Sequence, residues 1–229
     1  VLLIAGGFVV LGEVLLPALI LPLTELITKG IGSPLKESLR VLIGYVAMTL
    51  PPLFILRQQL RGIDSSLRPP KGWLQWGFSP LPNSFVRALK GWLMIMPLVL
   101  LTSWLMNLIV GDQGGSNPLL ELVLGSRDST ALALLLFTTV LLAPLFEEVV
   151  FRGVLLPVLA KEFGNWSGVL ISALIFALAH LSVGELPPLF VLGIGLGLLR
   201  LTSARLFPCI LMHSLWNGIT FTSLLLLGG

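Results

Sequence analysis

The chain has 229 residues, of which 55% are hydrophobic and only 11% charged, with a mean hydropathy of +1.00 and a net charge of +3. Soluble domains carry about 25% charged residues, and apolar runs of about 20 residues mark membrane spans, so an ordinary globular domain is excluded and a polytopic membrane protein is expected. A single cysteine, Cys209, excludes disulfide scaffolds and cysteine-rich zinc modules, and a positive charge gathered in one loop excludes a nucleic-acid-binding stripe.

In chain order, residues 1–27 form a first hydrophobic stretch interrupted by Glu13, Pro17, Pro22 and Glu25. It is too long for the apolar core of a cleavable signal and has no basic region before it, so no cleavable targeting segment is expected. A second, short stretch covers 41–56, with Pro51 and Pro52 near its end. Residues 57–90 are basic, with Arg57, Arg61, Arg68, Lys71, Arg87 and Lys90 against Asp64, and with Trp73 and Trp76 among them. That mixture reads as an interfacial loop with tryptophans at headgroup level. A third span covers 92–110 and ends in the turn-rich segment 111–118. The fourth, 130–160, is expected to break at Pro144; a short turn over 161–166 then leads to 167–181, 186–201 and 207–227. The expected fold is therefore an all-α transmembrane helix bundle of about seven spans, with an eighth if the first stretch is a hairpin or 119–124 enters the membrane. As one membrane domain it divides into N-terminal helices with the basic loop, 1–129, and a core carrying the polar residues, 130–229.

The basic loop, the Lys161 turn and the Arg200/Arg205 turn alternate with the weakly charged loops 111–129 and 182–186. The positive-inside rule puts the first three in the cytoplasm, with Lys29, Lys36 and Arg40 as the exceptions if the first stretch crosses once.

Charges in hydrocarbon cost at least ~2.5–3.5 kcal/mol each, so a cluster of them inside a span needs a purpose. The fourth span carries Glu147, Glu148 and Arg152 between apolar flanks. Glu148 and Arg152 are four residues apart, on one helical face and able to pair, whereas Glu147 points roughly 100° away with no cation in its own helix. The chain's two histidines stand in later spans, His180 four residues after Phe176 and His213 four residues before Asn217. Singly, such residues bridge helices at about 0.6–2 kcal/mol apiece. Together they suit hydrolysis, because a carboxylate in apolar surroundings is a stronger base and, with a neutral imidazole, can deprotonate water. The other histidine and the carboxamide can donate to an oxyanion, a role worth ~2.7–4 kcal/mol per donor. A serine triad is the weaker reading, since Ser214 adjoins His213 and faces roughly 100° away from it. Two histidines and a carboxylate are also a ligand set for catalytic zinc, and spacing does not choose between Glu147 as base and Glu147 as ligand beside His180 and His213.

The order Glu-Glu-x-x-x-Arg at 147–152, Phe-x-x-x-His at 176–180 and His-x-x-x-Asn at 213–217 resembles the CPBP family, the CAAX prenyl endopeptidases and bacteriocin-processing intramembrane proteases also called Abi proteins. The resemblance covers roughly 130–227. It implies a helical bundle whose site opens to the membrane and to the cytoplasmic side, with Glu147 and His180 activating water, His213 and Asn217 stabilising the oxyanion, and Glu148, Arg152 and Phe176 in support. It implies an intramembrane endopeptidase acting on a membrane-associated or lipidated, CAAX-like peptide, in a family named for metalloproteases whose eukaryotic prenyl endopeptidases look glutamate-dependent. The partners expected are the lipid bilayer and that substrate, and no nucleic acid.

Two rival readings stand beside this. One is a non-catalytic adaptor, immunity or scaffold protein of the same fold. The other is a proton-coupled transporter, disfavoured because the polar cluster falls entirely in the second half of the chain. Gly193, Gly195 and Gly197 lie in an apolar span, so they read as sites of close helix approach and not as a nucleotide loop. Glu25 reads as a span-end or bundle-facing residue, and Trp92, Met94, Met96 and Trp104 as lipid-facing or packing surface.

Overall fold

A computed structural model describes residues 16–61, 74–78, 80–110, 122 and 125–228. Glu13, Asp64, Arg68, Lys71, Trp73 and the 111–118 turn lie outside the described residues, as does most of 119–124. The described chain is helical: α1 Leu16–Ile27, α2 Leu35–Arg61, α3 Leu81–Val110, α4 Ser129–Phe163, α5 Asn165–Ala179, α6 Leu186–Ser203 and α7 Phe207–Gly228. Each falls on one of the hydrophobic stretches expected above. Among the described residues α3, α4, α6 and α7 are long and apolar enough to cross a bilayer, while α1 and α5 are apolar but shorter.

Two boundaries differ from expectation. Helix α2 continues to Arg61 and α3 begins at Leu81, so Arg57 and Arg61 stand at the end of α2, Arg87 and Lys90 lie within the first three turns of α3, and the basic loop is shorter than its charge pattern suggests. Arginine and lysine are good helix formers whose long stems reach outward from an apolar rod, and Pro82 suits a first turn, so charge does not stop either helix. Glu25 pairs with Arg40 at 3.1 Å, tying α1 to α2 beside their turn.

Helix α6 is the centre of the second half, packed between α5 and α3, while α7 lies against α3, α4 and α6. The glycines on α6 make this possible. A Cβ on Gly193 would stand 3.0 Å from Ala173 Cα, one on Gly197 3.1 Å from Val169, and one on Gly195 2.7 Å from Ile95, so the triplet lets α5 and α3 approach from two sides. The turn between α4 and α5 is built on Gly164 at φ +84°, and Gly168 then sits against the Ala160 backbone. Phe146, Val150, Phe151, Leu155, Leu159 and Phe176 form the core between α4 and α5. Most of α3 faces outward, with Met94 79% and Trp104 57% exposed, whereas Trp92 packs against the cluster of Leu192, Leu196 and Met212.

Candidate active site

The site starts from the backbone of α4. Pro144 does not break this helix; instead π turns at Thr138–Leu142 and Val149–Leu155 flank the short α segment Ala143–Glu148. In a π turn each N–H reaches back five residues and not four. The Ala143 N–H goes to the Thr138 carbonyl, and Pro144 has no N–H to offer, so the Thr139 carbonyl is left over. Asn217 Nδ2 on α7 donates to it at 2.8 Å. The second π turn repeats the pattern. The Leu156 N–H goes to Phe151, Pro157 has none, and the Arg152 carbonyl so released accepts from Arg200 Nε on α6 at 3.1 Å. Each proline thus frees an acceptor that another helix fills, part-buried at Thr139 and buried at Arg152, and the two acceptors bracket the adjacent glutamates.

Glu148 and Arg152 pair within α4 at 2.9 Å, both fully buried. The same carboxylate oxygen accepts from His213 Nδ1 at 2.8 Å, which locks α7 to α4. Arg152 also donates from Nη2 to the Gly193 carbonyl at 3.1 Å, and its guanidinium lies 4.5 Å from the centre of the Phe176 ring. Phe176 stands edge-on between the imidazoles, 4.8 Å from His180 and 5.7 Å from His213, and so sets both rings in place.

Glu147 faces the other nitrogen of His213. Its Oε2 is buried with no hydrogen-bond partner among the described residues, 3.8 Å from His213 Nε2 and 4.0 Å from His180 Nε2. The tautomers follow from the opposite ring nitrogens. His180 Nδ1 is 2.8 Å from the Phe176 carbonyl, which can only accept, and His213 Nδ1 faces the Glu148 carboxylate. Each Nδ1 therefore carries a proton, and each ring turns its Nε2 toward Glu147. Three acceptors converge at separations too long for bonding one another. A water placed among them can donate to two of the three.

The fold brings together Glu147, Glu148, Arg152, Phe176, His180 and His213. Asn217, one turn beyond His213, has one N–H committed to the Thr139 carbonyl and retains its second. Arg200 corrects the sequence reading: it is not in a turn but buried within α6, so it contributes nothing to the loop charge count. Gln75, whose Oε1 accepts from Arg200 Nη1 at 3.2 Å, was hidden in the basic loop. A lone arginine inside an apolar span was the available signal for the first; nothing marked the second.

Glu147, His180 and His213 are donors of the kind zinc takes, with each imidazole oriented through its far nitrogen as metal-bound histidines are. Among the described residues, however, no three such groups are gathered within ligating reach of one point. The donor types fit and the spacing does not.

Residues 129–219 match the family model for type II CAAX prenyl endopeptidase Rce1-like proteins. The chain is 31% identical over 103 residues to an uncharacterized 24.3 kDa protein of Escherichia coli, covering 43% of this chain and 48% of that protein. It is 31% identical over 137 residues to the membrane-embedded CAAX protease MroQ of Staphylococcus aureus, covering 57% and 54%. The chain thus spans about half the length of the curated relatives it matches. No solved structure matches.

Proposed function

Because the domain over residues 129–219 belongs to the CPBP family of intramembrane proteases, we propose that this protein hydrolyses a peptide bond of a membrane-associated or lipidated, CAAX-like substrate, with Glu147 as the base. The supporting observation is the Glu147 oxygen without a hydrogen-bond partner, faced by the Nε2 atoms of His180 and His213. A water there gives one hydrogen to Glu147 and one to His180, and its lone pair is left to attack the substrate carbonyl carbon. As the C–O bond forms, the water proton passes to the Glu147 carboxylate; when the tetrahedral intermediate collapses, the C–N bond breaks and that proton goes to the leaving amine. His213 serves the oxyanion when its Nε2 is also protonated, with Glu148 at Nδ1 neutralising the ring in that form, and the second N–H of Asn217 is the other donor. Entry of the substrate from the cytoplasmic side is part of the same proposal and rests on the family resemblance alone.

The test is cleavage of quenched-fluorescent peptides, prenylated and plain, by purified protein in lipid nanodiscs. Glu147→Gln should lower kcat by roughly 10²–10⁴-fold, the range of general-base catalysis, with the protein still folded. Activity surviving chelation supports the reading above. Loss on chelation with recovery on adding zinc would make His180 and His213 ligands. Absence of cleavage by folded wild type across the peptide set would turn the choice to the non-catalytic adaptor.

A further inference from the structure

Arg200 is 6% exposed, and among the described residues no carboxylate lies within ion-pair distance of it. Its two hydrogen bonds go to neutral acceptors, the Arg152 carbonyl and Gln75 Oε1. A neutral side chain can fill such a carbonyl: Asn217 does so for the equivalent acceptor at Thr139. At Arg152 the bundle uses a full charge, which is expensive to bury and needs a reason beyond packing.

That reason lies in what the Arg152 peptide carries. Its side chain holds Glu148, Glu148 holds His213 Nδ1, and His213 Nε2 faces Glu147. With Arg200 included, the buried acidic and basic side chains of α4 and α6 are Glu147, Glu148, Arg152 and Arg200, two carboxylates against two guanidiniums, so the uncompensated Glu147 sits in a core without net charge from them. Arg200 is itself held from outside. Gln75 stands at φ +49°, a conformation rare for a residue with a side chain, and the strand of chain around it is pinned where Leu206 N–H donates to Gln75 O at 3.0 Å and Phe207 N–H to Trp76 O at 2.9 Å. Leu74 packs where a Cβ on Gly153 would be, 3.0 Å from that point, so the same segment presses on the residue after Arg152.

We infer that Arg200 is a positioning residue of this site: through the Arg152 carbonyl it fixes the Glu148–His213 pair so that His213 Nε2 points at Glu147, and Gln75 sets the guanidinium that does it. The inference rests on the hydrolytic reading for its kinetic consequence, but not for its structural one. With two histidines in the chain, nitrogen-15 histidine labelling yields two imidazole signal sets in nanodiscs. Arg200→Met should move the His213 nitrogen signals and leave those of His180 in place, and Arg200→Lys, which keeps the charge and a donor, should restore most of the shift. In the cleavage assay Arg200→Met should lower kcat about tenfold, as loss of an orienting partner does, with KM held and Arg200→Lys recovering most of it. Gln75→Ala, which leaves every core residue intact, should produce a smaller change of the same kind in both readouts and serves if Arg200→Met does not fold. Unmoved His213 signals in a folded Arg200→Met protein, equal movement of both histidines, or a loss confined to KM would overturn the inference. If wild type cleaves nothing, the hydrolytic reading fails while the His213 shift still decides the positioning role.

Discussion

Asn217 illustrates how one side chain can answer two needs. The carboxamide was readable as a donor on the face of His213, because a four-residue interval puts two side chains on one side of a helix. Its bond to the Thr139 carbonyl was not readable, since it depends on a π turn and on the N–H that Pro144 lacks. This has a measurable consequence. Asn217→Ala leaves a part-buried carbonyl unfilled and should destabilise the protein by about 1 kcal/mol. In a Pro144→Ala background residue 144 supplies an N–H to the same carbonyl, so the cost of Asn217→Ala should shrink, and a double-mutant cycle from thermal unfolding in detergent should show coupling of about 1 kcal/mol. Additive costs would mean that the proline does not create the need. Glu148 and Arg152 were readable as a pair from spacing alone, and the third member, His213, was not, because it comes from a helix some sixty residues away in sequence.

At the scale of the helix, close approach depends on positions without a side chain. Gly193 has two roles: its missing Cβ lets Ala173 touch α6, and its carbonyl receives Arg152 Nη2. Gly193→Ala would put a carbon 3.0 Å from the Ala173 backbone, which cannot retreat as a flexible side-chain tip can. It should cost about 1–3 kcal/mol, an overpacking penalty, and should weaken cleavage more than Gly197→Ala, whose nearest neighbour is a valine methyl. The opposite sign is expected at the end of the same helix. Ala204 closes α6 at φ +50°, the left-handed conformation that glycine adopts without strain, so Ala204→Gly should raise the unfolding temperature, by the equivalent of about 1 kcal/mol. The apolar stretch that forms α6 was legible, and so was the meaning of its glycines. Which helix each glycine would meet was not, because α5 contacts Gly193 and Gly197 while α3 contacts Gly195.

For the whole molecule, burial of Arg200 changes the topology argument. The expected cytoplasmic assignment then has only Arg57, Arg61, Lys161 and Arg205 at helix ends or turns among the described residues, with Arg87 and Lys90 two or more turns inside α3. His180 closes α5 at the end away from Lys161, and α5 with its 15 residues is about 22 Å long, shorter than a hydrocarbon core of about 30 Å. Since Cys209 is the one cysteine and is buried, a Cys209→Ser chain accepts single reporter cysteines cleanly. Lys161→Cys should react with a membrane-impermeant thiol reagent from the cytoplasmic face and Gly184→Cys from the opposite face; labelling from the same side would overturn the orientation.

The sequence by itself determined that the chain lives in a membrane, where its apolar helices run, that Glu148 pairs with Arg152, and that Glu147, Glu148, Arg152, His180 and His213 fall within apolar stretches. These are local properties, set by composition and by the angular step of a helix. Only the tertiary structure decided that both imidazoles turn Nε2 toward Glu147, that the carbonyls released by Pro144 and Pro157 are filled from α7 and α6, and that Arg200 is core and not loop. The physical reason is that a hydrogen-bond partner in a dry interior is chosen by which helices touch, and contact between helices depends on side-chain shape across distant parts of the chain.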